Sequence, residues 1–187
     1  MNSEYKVFKF KSENLDDFND HISIEEPVEI IIKYKDKEIW VEKTISVTMR
    51  TPGDDEDLVR GFLFNEKIIE KIDYVEKIEL TGKPTEQYGL KNKMIVTINN
   101  SDNIDVDKIK RNFLTNSSCG VCGKSSLDAL EIIKKDKILK SNPKISKEVL
   151  MSSPKKLRKN QSEFSKTGGI HASGLFSAQG DIVAIKE

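Results

Sequence analysis

Cys119 and Cys122 are the only thiols in the chain, and they sit three residues apart in Ser117-Ser118-Cys119-Gly120-Val121-Cys122-Gly123-Lys124-Ser125-Ser126. A glycine follows each cysteine, which leaves the sulfurs uncrowded and lets the backbone turn sharply. Leu127, Leu130 and Ile133 then recur at helical spacing, with Ser125 or Ser126 able to cap the first free N–H groups. A sulfur just before a helix N-terminus feels positive partial charge, which favours thiolate over thiol. Four chemistries fit such a pair. Buried structural cysteines are the plainest, since free cysteine packs as a small hydrophobe, but the polar, glycine-rich surroundings argue against that. A structural zinc site needs about four ligands, and only His21 and His171 are available besides the thiols, so no metal is expected. A dithiol redox centre and a nucleophilic cysteine that carries a group such as a persulfide are left. Spacing alone does not separate those two. The Gly123-Lys124-Ser125 run imitates the end of a phosphate-binding loop, yet the glycine required five positions earlier is Ser118, which removes that reading.

A second stretch with chemical potential is Thr167-Gly168-Gly169-Ile170-His171-Ala172-Ser173-Gly174-Leu175-Phe176. Paired glycines among small residues suggest a backbone that approaches a ligand or another loop closely. Gly168, Gly169 and His171 are therefore the candidate cofactor-binding residues. His21 lies among aspartates and serines and reads as a solvated loop histidine.

These stretches need a scaffold. At 187 residues the chain can bury a substantial core. Lys+Arg and Asp+Glu balance at 31 each, so overall charge points to neither nucleic acid nor membrane. The beginning of the sequence has no apolar run of a secretory signal, and two closely spaced cysteines suit a reducing cytoplasm. Residues 1–26 read as an N-terminal extension with an edge strand followed by a loop. Residues 27–110 read as a β-rich lobe with one amphipathic helix. Its first hairpin runs from Val28 to Val47 around Tyr34-Lys35-Asp36-Lys37, and Trp40 is expected to be a packing residue. Asp54 is expected to cap the helix, whose stripe is Leu58, Val59, Phe62 and Leu63. Gly61 inside that helix implies a close packing contact, and Arg50 is expected either to pair with the acidic first turn or to bind an anion. Strands are expected at Val75–Leu80 and Met94–Ile98. Residues 111–187 hold the cysteine loop, a short helix over Ile145–Met151, and a second helix starting at Ser153-Pro154. That second helix carries Leu157, Gln161 and Phe164 on one face and Lys155, Lys156, Arg158 and Lys159 on the other, the latter a solvated surface or a phosphate-greeting one. A strand over Asp181–Ile185 follows.

Taken together, Arg50-Thr51-Pro52-Gly53, Gly61-Phe62-Leu63-Phe64, Ser118-Cys119-Gly120-Val121-Cys122-Gly123, Gln161 with Phe164, and Thr167-Gly168-Gly169-Ile170-His171-Ala172 resemble the formate dehydrogenase accessory sulfurtransferases, the FdhD/NarQ family. The likeness spans roughly residues 25–187. It implies an α+β or α/β protein, with a β-rich N-terminal lobe followed by a cytidine-deaminase-like α/β region. It also implies a sulfurtransferase that takes sulfur from a cysteine desulfurase as a persulfide on Cys119, with Cys122 assisting. The acceptor is the molybdenum or tungsten bis(pterin guanine dinucleotide) cofactor of formate dehydrogenase. No tightly bound cofactor is implied, and a homodimer is. The family continues with an Asp-Val-Gly-Arg-His-Asn segment where this sequence stops, so the α/β region is expected to be incomplete at its C-terminus. The family's Asn-Gly hairpin turn is replaced by Lys35-Asp36-Lys37, and His171-Ala172-Ser173 lacks the glutamate of a zinc deaminase, so no deaminase activity is expected. Two rivals stay open: a thiol–disulfide oxidoreductase using the same pair, and a non-catalytic chaperone that holds the dehydrogenase or its cofactor.

Overall fold

The structure is a computed structural model and describes residues 1–11, 14–99, 104, 113–114 and 144–187. Contacts divide the chain into two compact units. One comprises the described residues of Met1–Ile24, Thr51–Asp54 and Ile138–Glu187, the other those of Glu25–Arg50 and Asp55–Lys137. Strands and a few helices make the whole broadly α+β.

The second unit is built on a five-stranded sheet. Strands β3 (Glu26–Asp36) and β4 (Ile39–Arg50) form an antiparallel hairpin, and β5 (Val75–Thr81) pairs antiparallel with β6 (Lys93–Ile98). β6 lies parallel to β3, and β7 (Phe113–Leu114) lies parallel to β4, giving the order β5-β6-β3-β4-β7. Alternation in the sequence sets the faces, because successive side chains of a strand point opposite ways. Val28, Ile30, Ile32 and Tyr34 of β3 join Met94, Val96 and Ile98 of β6 and Ile45 of β4 in the core. The opposite face carries charge pairs, among them Lys33–Glu42 at 3.0 Å and Lys93–Glu29 at 2.8 Å. The Glu29 carboxyl is held below its ordinary value by hydrogen bonds from Lys93 and Thr44.

The β3–β4 hairpin turns at Lys37 and Glu38, both with positive φ (45° and 68°). That is the backbone a two-residue hairpin turn demands, here met without asparagine or glycine. Trp40 is not a core packing residue. It is 47% exposed, and the Lys33 and Lys35 ammonium groups sit 5.7 and 5.6 Å from its ring centroid.

Helix α1 (Asp55–Asn65) begins with Asp55, Glu56 and Asp57, acidic residues that suit its positive end. Of the expected stripe, Val59 and Leu63 are buried and Phe62 packs partly buried against the core, while Leu58 is 37% exposed. Among the described residues Gly61 has no tight neighbour, since a Cβ there would meet only Asn65 Nδ2 at 4.0 Å, so close packing with them does not explain it. The helix ends in a Schellman motif. The Ile68 N–H reaches the Leu63 carbonyl at 2.9 Å and the Lys67 N–H reaches the Phe64 carbonyl at 3.0 Å, with Lys67 left-handed at φ 54°. The accompanying apolar contact joins Leu63 to Ile68, both buried.

The first unit opens with a hairpin, β1 (Asn2–Lys11) and β2 (Asn14–Ser23), paired over their full lengths. The expected loop after one edge strand is therefore a second strand, missed because its Asp- and Asn-rich sequence carries little strand propensity. His21 lies on that strand and is exposed, with Nδ1 3.2 Å from Asn2 Oδ1. At the other end of the sequence come α2 (Lys147–Lys159), α3 (Ser162–Thr167) and the antiparallel pair β8 (Ser173–Phe176) and β9 (Ile182–Lys186). The helix expected over Ile145–Met151 and the one expected to start at Ser153-Pro154 are one helix, which ends at Lys159, so Gln161 and Phe164 fall beyond it. Ser146 caps it, accepting from the Val149 N–H at 3.2 Å, and Pro154 lies inside it. The Ser152 and Ser153 hydroxyls both donate to the Val149 carbonyl, on the turn that Pro154 interrupts.

Candidate functional site

Cys119 and Cys122 lie outside the described residues. The second stretch is described, and its geometry follows from how α3 stops. Gly168 takes φ 68°, the left-handed conformation that ends helices, and its N–H donates to the Phe164 carbonyl at 2.8 Å. The Thr167 hydroxyl donates to the Glu163 carbonyl at 3.1 Å, accepts the Gly169 N–H at 3.3 Å, and meets the Ser23 hydroxyl at 2.9 Å. Asn2 and the amino group of Met1 both bond the Glu163 carboxylate, at 2.9 and 3.3 Å. The turn before His171 is thus tied to the foot of the β1–β2 hairpin.

No other loop approaches the paired glycines closely among the described residues. A Cβ at Gly168 would meet nothing within 4 Å, and one at Gly169 only the Thr167 carbonyl at 3.9 Å. Gly168 is required by its φ, not by crowding. Crowding occurs instead at Gly174 and Gly180, which the sequence reading did not single out. A Cβ at Gly174 would lie 2.9 Å from the Phe176 ring and 3.0 Å from Leu157 Cδ1; one at Gly180 would lie 2.9 Å from Val149 Cγ1. Gly180 also closes the β8–β9 turn at φ 85°, its N–H on the Ser177 carbonyl at 2.9 Å. The Ser177-to-Asp181 spacing with glycine fourth was the legible signal, a three-residue hairpin loop with glycine at the left-handed position.

His171 is exposed and has no hydrogen bond or ion pair among the described residues. The basic run of α2 is divided in use. Lys156 donates to the Gly180 carbonyl and the Arg158 guanidinium stacks 3.5 Å from the Phe164 ring centroid. Gln161, between the two helices, is buried. Glu187 reaches the start of α3, where its carboxylate accepts the N–H groups of Glu163 and Phe164, both at 3.0 Å. Burial pushes that carboxyl up, but the donated hydrogen bonds outweigh it and hold it below its ordinary 4.5. Arg50 pairs with the acidic first turn of α1. Its Nε donates to Asp55 at 2.5 Å, and the rest of its buried guanidinium bonds Asn92 Oδ1 at 3.0 Å and the Glu26 and Lys91 carbonyls. Among the described residues no three His, Cys, Asp or Glu side chains gather in a way that could hold a metal ion, and no helix is long and apolar enough to cross a membrane.

The model of the FdhD/NarQ family matches residues 23–187. The chain belongs to the FdhD/NarQ family. Relatives named sulfur carrier protein FdhD are 36% identical over 182 residues in Sulfolobus acidocaldarius and 40% identical over 169 residues in Picrophilus torridus. These alignments cover 97% and 90% of this chain but 62% and 58% of the relatives, so the chain spans about three fifths of the length of the curated relatives it matches. A crystal structure from Desulfotalea psychrophila, of a candidate formate dehydrogenase accessory protein, superposes with a TM-score of 0.59 at 15% identity. It covers 98% of this chain and 58% of that one, and it supports the fold. The FdhD/NarQ match takes in both chemically informative stretches, the cysteine pair and the turn before His171.

Proposed function

We propose that this chain is a sulfur carrier for formate dehydrogenase maturation, a sulfurtransferase that holds persulfide sulfur on Cys119. The observation that carries the reading is the family match over residues 23–187, which contains Cys119 and Cys122, together with relatives named sulfur carrier proteins. The donor is a cysteine desulfurase charged with a persulfide. The Cys119 thiolate attacks the outer sulfur of that persulfide. A new S–S bond forms at Cys119, the donor's S–S bond breaks, and the donor cysteine leaves as thiolate and takes up a proton. No net oxidation occurs. Cys122 assists by holding or receiving the sulfur before it passes to the molybdenum or tungsten bis(pterin guanine dinucleotide) cofactor. The later part of the chain, with α2, α3, β8 and β9, is read as belonging to a cytidine-deaminase-like α/β region. The exposed turn at Gly168, Gly169 and His171 is the surface offered to the cofactor. The reaction belongs to the cytoplasm, where thiols stay reduced, and a homodimer is the expected assembly.

The test is direct. Incubated with a cysteine desulfurase and free cysteine, the protein gains the mass of one sulfur, seen by intact-mass spectrometry and removed by a reductant. Cys119→Ala gains none. An equal adduct on Cys119→Ala would remove Cys119 from the role, and no adduct on either protein would remove the function.

A further inference from the structure

Helix α3 is too short to fix its own position. It has six residues, none of them buried, and a helix of that length is marginal without tertiary support. One cross-strand pair supplies much of that support. Asn2 and Ser23 face each other at the foot of the β1–β2 hairpin, on one face of the ladder and about 5 Å apart at Cβ. Glu163 and Thr167 stand one helical turn apart on α3, so they share a helix face at nearly the same spacing. The two pairs match. Asn2 Nδ2 donates to the Glu163 carboxylate at 2.9 Å, and the Ser23 hydroxyl lies 2.9 Å from that of Thr167. The hydrogens at Thr167 give the second bond a direction. A hydroxyl has one hydrogen and two acceptor lone pairs. Thr167 donates its hydrogen to the Glu163 carbonyl and accepts the Gly169 N–H, so Ser23 donates between the hydroxyls. Thr167 is then saturated, and a line of bonds runs from Ser23 through Thr167 to the backbone of Gly169. Glu187 and Arg158 hold the other end of α3, at Glu163 and Phe164. Among the described residues, Ser23 is the side chain outside α3 and its turn that bonds Thr167.

We propose that Ser23 and Thr167 are positioning residues for sulfur delivery: the Ser23 hydroxyl, acting through Thr167, sets where the Gly168-Gly169-His171 turn meets the pterin guanine dinucleotide acceptor. The proposal rests on the reading of that turn as the surface offered to the cofactor. A turn that binds through its backbone and one histidine loses affinity when its frame shifts, because a binding constellation works only within a narrow tolerance of its productive geometry. The first strand pair of the chain thereby acts on the acceptor step and leaves the earlier step, in which Cys119 takes sulfur from its donor, untouched.

The experiment takes two readings from the full chain. One is sulfur loading by a cysteine desulfurase with free cysteine. The other is loss of the sulfur adduct from the loaded protein at increasing concentrations of the molybdenum bis(pterin guanine dinucleotide) cofactor. Ser23→Ala should raise the half-saturating cofactor concentration about fivefold, the worth of one hydrogen bond, and Thr167→Val at least as much. The double variant should match Thr167→Val, because both changes cut one path. Thr167→Ser keeps the hydroxyl and should stay within twofold of wild type. Loading should be unchanged in all four. Ser23→Ala within twofold of wild type overturns the positioning role; if His171→Ala is equally silent, the cofactor surface falls with it. Additive losses in the double variant, a Thr167→Ser defect equal to that of Thr167→Val, or a matching loss of loading each overturn the role as well. Wild type that loads sulfur and passes none to the cofactor refutes the cofactor surface and this proposal while the carrier stands. Wild type that does not load refutes the carrier too.

Discussion

Glu187 shows how one side chain can be worth more than its position in the sequence suggests. Its carboxylate accepts the N–H groups of Glu163 and Phe164 and so supplies the acceptor that α3 lacks, since Gln161 makes no side-chain cap. Held below its ordinary 4.5 in the folded protein, this carboxyl binds a proton more readily when unfolded. Its stabilisation is therefore complete above the ordinary carboxylate range and is lost as pH falls through the folded value. Glu187→Gln should lower stability at neutral pH by about 1 kcal/mol, the usual worth of a cap. Urea denaturation from pH 7 to pH 3 should show the variant and wild-type curves converging at the acid end. Parallel curves across that range would deny the carboxylate its role. Arg50 belongs to the same scale. The sequence left it between an ion pair and an anion site, and burial decided for the pair, because a guanidinium in the interior needs its donors satisfied.

At the scale of elements, three non-glycine residues among those described take left-handed backbone: Lys37 and Glu38 in the β3–β4 turn and Lys67 after α1. Each pays the steric penalty that glycine avoids. Replacing Lys37-Glu38 by Asn-Gly should raise stability by about 1 kcal/mol, measured as a higher urea midpoint at constant slope. A lower midpoint would mean that the turn is held by side-chain contacts. Helix α2 carries the opposite lesson. Read alone, Ser153-Pro154 is a helix start; the structure continues the helix through it, with Ser146 as cap.

For the whole molecule, the two units give two perturbations with separate addresses. Arg50→Met strips the partners from Asp55 and Asn92, and removing one member of a buried pair costs about 3 kcal/mol or more. Gly180→Ala forces a methyl group against Val149 at a left-handed position, at about 2 kcal/mol. Hydrogen exchange followed by mass spectrometry should show the first change loosening β3, β4 and α1, and the second loosening α2, β8 and β9. Loosening confined to the other unit in either case would contradict the contacts described. The same division explains why the N-terminal hairpin was misread. Its strands are polar on much of their surface, and nothing local announces that Asn2 and Ser23 bond Glu163 and Thr167, more than 140 positions away.

The sequence by itself determined what local chemistry can express: the cysteine pair and its family, the alternation that buries one face of β3 and β6, and the acidic start of α1. Tertiary structure alone decided which charges are satisfied and which glycines are crowded. It set Arg50 on Asp55, Glu187 on α3, and Gly174 and Gly180 under the side chains of α2 and β8. Those outcomes depend on distances between residues far apart in the chain, and periodicity and propensity carry no information about such distances.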